Sequence, residues 1–177
     1  MLEGKQVNLR LSEKEDLPLL TEWINKPEVF GEYNPLHQIS RTETEKTFDN
    51  PHEERIFIVE KKDGTKVGFV SHFNVLHIAG KQLEIGYSLL PSERGKGYCT
   101  EAVKIMTDYL FLSKDIERIQ AQTDPRNAAS NRVLEKVGFK KEGMLRKAFF
   151  MRGQWVDAYV YSILRDEWKE PKVLGRQ

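Results

Sequence analysis

Short runs of apolar or alternating residues, separated by turn residues, predict β-strands in the first half of the chain. The predicted strands are residues 7–11, 55–60, 67–75 and 83–90. Asp63-Gly64 is a pair typical of a tight hairpin turn, and a further turn is predicted at residues 80–82. Because the connections are short, the four strands are expected to form an antiparallel meander, with helices inserted after the first.

The segment after the first strand has a helical spacing of apolar residues. Its apolar face comprises Leu17, Leu20, Trp23 and Ile24. Pro18 is tolerated in a first helical turn but not deeper in a helix, so this helix is expected to begin near Asp16. Residues 12–15 resemble a capping box. We expect a loop over residues 27–40 and a short helix over residues 42–48.

Beyond Pro91 the apolar spacing changes to a period of about 3.6 residues, which predicts a long helix. The later predicted elements are a strand at 119–123, a helix at 127–137 and a hairpin of residues 139–151 and 155–164. The polar tail, residues 169–177, is expected to fray. This order predicts one α/β (α+β) domain over residues 1–168, in which a mixed, mostly antiparallel sheet of seven strands is flanked by about four helices.

Composition supports a folded protein and excludes several function classes. The chain has 177 residues, of which 39% are hydrophobic and 31% are charged, and its formal net charge is +1. This balance predicts no large basic face and therefore no nucleic-acid partner. Its single cysteine cannot form an intrachain disulfide, and its four histidines lack the spacing of metal ligands, so no metal is expected.

The chain has no run of apolar residues long enough to span a membrane. Its first residues also lack the apolar stretch of a signal peptide. We therefore expect a cytoplasmic protein with no membrane partner. The sequence does not decide the oligomeric state, and a homodimer is one of the states it allows.

A glycine-containing loop lies between the fourth strand and the long helix. It reads Arg94-Gly95-Lys96-Gly97-Tyr98. Glycines allow a ligand to approach the main chain, and the first amides of the following helix point outward at its positive end, which suits a pyrophosphate. Alone, such a turn is a weak signal. It has neither the Gly-Lys-Ser/Thr of a nucleotide-triphosphate loop nor the third glycine of a dinucleotide fingerprint.

The surrounding sequence is more specific, because residues 83–102 resemble the core of the GCN5-related N-acetyltransferase (GNAT) superfamily. The family's Arg/Gln-x-x-Gly-x-Gly/Ala motif is matched by Arg94 and Gly97, with Cys99 at its last place. A second family element is similar to residues 127–131 and 134–139. The first strand and the final hairpin also resemble the RimJ/RimL branch, which acetylates the N-termini of ribosomal proteins. The resemblance covers nearly the whole chain and implies a GNAT fold.

The resemblance implies that acetyl-CoA is the cosubstrate. The glycine-containing loop would hold its pyrophosphate, and the main chain of the fourth strand would pair with its pantetheine amides. Asn127 would cap the predicted helix at 127–137, form a hydrogen bond with the pantetheine arm, or do both. The residues expected to bind acetyl-CoA are Leu89, Leu90, Arg94, Gly95, Lys96, Gly97, Tyr98 and Asn127.

Members of this family use direct attack of a neutral amine on the thioester. Glu84 is the candidate base, because strand alternation places it on a polar face with Gly86 and Ser88. The alternative is a solvated or salt-bridged strand residue. Ser130 is the candidate proton donor, since Leu134 stands where many GNAT enzymes carry a tyrosine. The alternative for Ser130 is an ordinary residue of a first helical turn.

The acceptor amine is not evident from the sequence. Phe30, Tyr33 and Asn34 lie in the loop where the family forms its acceptor pocket, although loop packing would also explain them. The branch resemblance favours a protein N-terminal α-amine, and a polyamine, an aminoglycoside or an amino acid are alternatives. A sensor or scaffold that binds acetyl-CoA without turnover is the main competing function, and Leu134 gives it support. A mixed α/β domain without CoA would require both motifs to be coincidences.

Overall fold

A computed structural model describes residues 1–50, 54–75, 82–168, 170–171 and 173–174. The strands are β1 (Leu2–Glu3), β2 (Val7–Leu11), β3 (Glu54–Lys61), β4 (Lys66–Asn74), β5 (Gln82–Leu89), β6 (Arg118–Thr123), β7 (Lys140–Met151) and β8 (Gln154–Leu164). The helices are α1 (Leu17–Asn25), α2 (Pro27–Phe30), α3 (Arg41–Asp49), α4 (Tyr98–Ser113) and α5 (Ala128–Val137). Residues 80 and 81 of the predicted second turn lie outside the described residues.

The eight strands described form one sheet in the order β1-β2-β3-β4-β5-β6-β8-β7. Strands β5 and β6 run parallel, and the other neighbouring strands run antiparallel. The predicted fold class, a mixed and mostly antiparallel sheet with helices, is confirmed. The additional strand is β1 at the sheet edge, and two residues are too few for a periodic pattern to reveal.

The beginning of α1 follows the prediction, but its cap does not. Helix α1 begins at Leu17 with proline in its first turn. The capping box lies one residue later than predicted, between Glu13 and Asp16. Its acidic member is Asp16 because that carboxylate accepts both the backbone N–H of Glu13 at 2.9 Å and the guanidinium of Arg10 at 2.8 Å. The predicted loop after α1 contains the four-residue helix α2.

Apolar side chains cover both faces of the sheet, as strand alternation requires. On β3, Phe57 and Val59 belong to the core formed with α4 and α5. Ile58 between them belongs to a second core with Leu20 and Trp23 of α1. Full burial of one such side chain contributes about 1.5–3 kcal/mol, so the two cores fix the helices on opposite faces.

The sheet opens at its centre, between the parallel strands. The ladder between β5 and β6 ends at the pair Glu84–Gln120, although β5 continues to Leu89 and β6 to Thr123. Helices α4 and α5 begin shortly after these strand ends. The carboxyl ends of two diverging strands and the amino ends of two helices therefore meet in one place, where ligands of α/β proteins commonly bind.

The C-terminal segment contacts helix α4. The buried carboxylate of Asp108 accepts hydrogen bonds from Trp168 Nε1 at 2.8 Å and from the backbone N–H groups of Val173 at 2.6 Å and Leu174 at 3.0 Å. Residues 169, 172 and 175–177 of the tail lie outside the described residues. The contacts tie the chain after β8 to the helix that follows the glycine-containing loop.

Candidate active site

A cleft of about 490 Å³ lies where β5 and β6 diverge. Three parts of the chain line it: the end of α2 with the segment after it, the end of β5 with the beginning of α4, and one side of α5 with its N-cap. The lining side chains and glycines are Phe30, Gly31, Glu32, Tyr33, Asn34, Tyr87, Ser88, Leu89, Glu93, Arg94, Gly95, Gly97, Tyr98, Cys99, Thr100, Asn127, Ala129, Ser130, Arg132, Val133 and Lys136. Most of the residues predicted for the site are therefore brought together.

Residues 94–98, hereafter the phosphate loop, lead into α4 through two glycines with left-handed backbone. Gly95 has φ +77° and Gly97 has φ +88°, values that L side chains rarely adopt. Gly97 is the N-cap of α4, and its carbonyl accepts the N–H of Glu101 at 3.1 Å. The amides before that bond have no acceptor within the helix, and they lie at the positive end of the helix dipole. The loop therefore has the geometry of an anion site.

The charged side chains of the phosphate loop already have protein partners. Arg94 donates from Nε to the carbonyl of Leu89 at 3.0 Å, and from Nη2 to the carbonyls of Val29 at 3.0 Å and Glu28 at 3.1 Å. Lys96 pairs with a glutamate at 3.1 Å and lies outside the cleft lining. Arg94 thus fastens the phosphate loop to α2, a role that its sequence position does not reveal.

The two leucines expected to pair with pantetheine differ in position. Leu89 lines the cleft, whereas Leu90 does not. The N–H of Leu90 donates to the carbonyl of Val67, and its own carbonyl accepts the N–H of Glu93, both at 2.9 Å. The main chain of Leu90 is therefore used within the protein.

The first turn of α5 presents two of the predicted residues to the cleft. Asn127 caps the helix, because its Oδ1 accepts the backbone N–H of Ser130 at 3.0 Å. The Oγ of Ser130 lies 2.8 Å from the phenolic oxygen of Tyr87, which also lines the cleft. Burial raises the pKa of Tyr87 well above its ordinary value, so the phenol stays protonated.

Tyr87 was missed by the sequence prediction. The available signal was its hydroxyl, which lies on the strand face otherwise occupied by Leu83, Ile85 and Leu89. Arg132 and Lys136 were also missed, although they are four residues apart and so lie on one side of α5. Their positive charge at the cleft suits the phosphate groups of a CoA.

Cys99 lies at the cleft in the first turn of α4. Burial raises the pKa of its thiol to about 12, and the nearby charge of Arg94 opposes that shift only in part. The thiol is therefore protonated at neutral pH, and a protonated thiol is a poor nucleophile.

Glu84 lies outside the cleft lining, at the point where β5 and β6 separate. Strand alternation places it on the opposite face of the sheet from Tyr87, as predicted. Its Oε2 accepts hydrogen bonds from Nε2 of Gln120 at 2.6 Å and from Nε2 of Gln122 at 3.1 Å. The carboxylate is thus fixed by two amides of β6.

Residues 30–34, where the sequence predicts the acceptor pocket and which are hereafter called the acceptor loop, cover one side of the cleft. Phe30, Tyr33 and Asn34 all line it. Asn34 closes the turn by donating from Nδ2 to the carbonyl of Phe30 at 2.6 Å. The guanidinium of Arg126 lies 5.8 Å from the ring centroid of Tyr33. Arg152 donates to the carbonyl of Glu32 at 3.3 Å.

These features fit acetyl-CoA. The open space at the two glycines would accommodate a pyrophosphate. Arg132 and Lys136 of α5 would contact a further phosphate, and the gap between β5 and β6 would hold the thioester arm. Among the residues that the structure describes, no group of three or more His, Cys, Asp or Glu side chains could hold a metal ion. The same part of the chain contains no helix long and apolar enough to cross a membrane.

The family profile of the acetyltransferase (GNAT) domain matches residues 6–140. This chain belongs to the GNAT acetyltransferase family. It is 39% identical to the probable N-acetyltransferase YjcK of Bacillus subtilis over 126 residues, which are 71% of this chain and 70% of that protein. Together with the cleft, this membership identifies the GNAT protein as an acetyl-CoA-dependent N-acetyltransferase.

Solved structures share the whole architecture of this GNAT enzyme. The ribosomal-protein-S5-alanine acetyltransferase of Vibrio fischeri superposes with a TM-score of 0.78 and 25% identity, covering 94% of this chain and 97% of that one. The spermidine N-acetyltransferase of Vibrio cholerae, solved with CoA and spermine, superposes with a TM-score of 0.82 and 24% identity, covering 92% and 98%. The two relatives act on different kinds of amine, so fold likeness leaves the acceptor undecided.

Proposed function

We propose that this GNAT enzyme acetylates the α-amine at the N-terminus of a polypeptide, as RimJ/RimL-like enzymes do. The observation that carries the proposal is that one cleft of about 490 Å³ joins the phosphate loop, the hydroxyl pair of Ser130 and Tyr87, and the acceptor loop. A cofactor held by the phosphate loop and an amine beside the acceptor loop would meet next to Ser130.

The acceptor class follows from the chemistry of proton removal. Only a neutral amine has the lone pair needed for attack. An α-amine with a pKa of about 8 is roughly 10% neutral at pH 7, whereas a lysine-like amine with a pKa of about 10.4 is less than about 0.1% neutral. The hydroxyls of Tyr87 and Ser130 are poor bases, and Glu84, outside the cleft lining, would reach the amine only through a water molecule. A partly neutral α-amine therefore needs the least help from this site.

Acetyl-CoA supplies the activated acyl group. The residues of this chain orient it and stabilise the negative charges of its pyrophosphate and of the departing sulfur. The amides of the phosphate loop and the dipole of α4 bind the pyrophosphate. Leu89 borders the path of the pantetheine arm. Ser130 donates a hydrogen bond to the sulfur, which gains negative charge as the amine attacks the carbonyl carbon. Phe30, Tyr33 and Asn34 contact the acceptor.

Glu84 is proposed to take the proton released by the amine, with a water molecule as the bridge. It lies at the apex of the gap between β5 and β6, so a water in that gap could contact both the acceptor and the carboxylate. The two glutamine amides hold the carboxylate in one orientation. This arrangement makes Glu84 a base acting from the face of the sheet opposite Ser130.

The test is an acceptor screen that measures thiol release from acetyl-CoA at fixed pH. The acceptors are a short peptide with a free α-amine, the same peptide with a blocked N-terminus and a free lysine, spermidine, an aminoglycoside and a free amino acid. The free α-amine should give the highest kcat/KM, and blocking it should abolish turnover. Preference for spermidine or another small amine would refute the proposed acceptor. Acetyl-CoA binding without thiol release from any amine would instead support a sensor or scaffold.

A further inference from the structure

Two hydroxyl groups from separate elements meet in the cleft. The phenolic oxygen of Tyr87, on β5, and the Oγ of Ser130, in the first turn of α5, are 2.8 Å apart although 43 residues separate them in the sequence. Both line the cleft. The phenolic oxygen is also 3.4 Å from the carbonyl of Ser130, which is too long for a strong O–H···O bond. Within the part of the chain that the structure describes, the bond between the two hydroxyls is therefore the shortest polar contact of the Tyr87 phenol.

The chemistry of the two groups indicates the direction of this hydrogen bond. Each hydroxyl can donate one hydrogen and accept two. A phenol is the stronger acid, so it is the better donor, and the alkyl oxygen of serine is the better acceptor. When Tyr87 donates to Ser130, the hydrogen of Ser130 is left for a third partner in the cleft. A chain of two hydroxyls is also polarised, which strengthens the donor at its end.

The backbone of Ser130 is fixed as well. Its N–H donates to the side chain of Asn127 at 3.0 Å, so the residue is held in the first turn of α5. The positive end of that helix favours negative charge developing nearby. With the backbone held by Asn127, the remaining freedom of the serine is rotation of its side chain and hydroxyl. The contact from Tyr87 restricts both.

We propose that Tyr87 is a positioning residue that directs the Ser130 hydroxyl toward the sulfur of acetyl-CoA. The inference rests on the proposed function, since it concerns acetyl transfer in the same cleft. As the amine nitrogen bonds to the carbonyl carbon and the C–S bond breaks, the electron pair passes to sulfur, which accepts the hydrogen bond of Ser130. Tyr87 keeps its proton throughout. The proton that finally neutralises the thiolate is the one lost by the amine, returned through solvent.

The test is a double-mutant cycle of Tyr87→Phe and Ser130→Ala with any amine that the wild type acetylates. Tyr87→Phe should lower kcat about tenfold, because a net hydrogen bond of about 1.4 kcal/mol is lost from the transition state. The Kd of acetyl-CoA should change less than about twofold, since one neutral hydroxyl contact is distant from the phosphates. In the Ser130→Ala background, Tyr87→Phe should have almost no further effect.

Tyr161→Phe is the matched control, because its hydroxyl lies outside the cleft lining, 3.3 Å from Glu135 Oε1, and its ring is buried in the core against which Tyr87 packs. This control should keep the wild-type kcat. A Tyr87→Phe variant with wild-type kcat would overturn the inference. It would also be overturned if Tyr87→Phe lowered kcat by the same factor in the wild-type and Ser130→Ala backgrounds. A different result would refute the proposed function: a wild-type enzyme that does not acetylate α-amines but acetylates another class of amine. The double-mutant cycle is then measured with that amine. A wild type that releases no thiol with any amine refutes both.

Discussion

Two glycines have nearly the same backbone conformation, so the same substitution at each can distinguish an effect on acetyl-CoA binding from an effect on folding stability. Gly97, with φ +88°, lies in the phosphate loop, and Gly64, with φ +83°, lies in the turn between β3 and β4 with open space around it. Valine in left-handed backbone costs at least about 1–2 kcal/mol of folding stability at either position. Gly97→Val and Gly64→Val should therefore lower the free energy of unfolding by similar amounts.

Only Gly97→Val should also prevent acetyl-CoA binding. Gly97 is the N-cap of α4, and a Cβ there would lie 3.8 Å from Gln6 Nε2 with space around it, so a valine would occupy room that a pyrophosphate needs to reach the first amides of the helix. Each hydrogen bond to a charged group contributes about 1.5–3 kcal/mol, so losing two costs about 3–6 kcal/mol. Since each 1.4 kcal/mol is a factor of ten, the Kd should rise at least about 100-fold.

Calorimetric titration of acetyl-CoA into wild type and both variants measures this difference, and chemical denaturation measures stability. The Gly64→Val protein should bind acetyl-CoA with the wild-type Kd. If Gly97→Val binds as tightly as Gly64→Val, the phosphate loop does not hold the pyrophosphate, and the interpretation of the cleft is wrong.

Three further substitutions test other parts of the account. Glu84→Gln should lower turnover by about 10²–10⁴-fold with little change in acetyl-CoA affinity, and higher pH should partly restore the rate; parental rates at every pH would remove Glu84 from the mechanism. Cys99→Ala should retain turnover, and an acetyl-cysteine trapped on the wild type would contradict direct transfer. Burial, together with the charges of Lys114 and Arg55, lowers the pKa of His72 from 6.5 to about 4. Folding stability should therefore fall by up to about 3 kcal/mol as pH drops through that interval, and this component should be absent from urea unfolding of His72→Phe; an unchanged pH dependence would contradict the burial argument.

Local sequence signals predicted the elements that frame the site. The position of Pro18 predicted the beginning of α1 to within a residue, and the two glycines predicted the turn that leads into α4. A helix start and a glycine turn depend on the backbone preferences of adjacent residues, and these preferences can be inferred from the local sequence. The two-residue strand β1 and the four-residue helix α2 lack enough residues for a periodic pattern, so tertiary contacts decide them.

Contacts between distant segments could not be predicted in the same way. The meeting of Tyr87 with Ser130 depends on how α5 packs against the separated end of β5. The attachment of Arg94 to α2 depends on a helix that the sequence did not indicate. Alternation correctly assigned Glu84 to one face of its strand, but it could not show that two glutamines of β6 hold the carboxylate outside the cleft.

A crystal structure of the protein with CoA tests the central claim most directly. The account predicts the pyrophosphate about 3 Å from the amides of the phosphate loop, and the thiol sulfur within hydrogen-bond reach of Ser130 Oγ, with the Tyr87–Ser130 contact retained. A CoA bound outside this cleft, or one whose sulfur points away from Ser130, would contradict it.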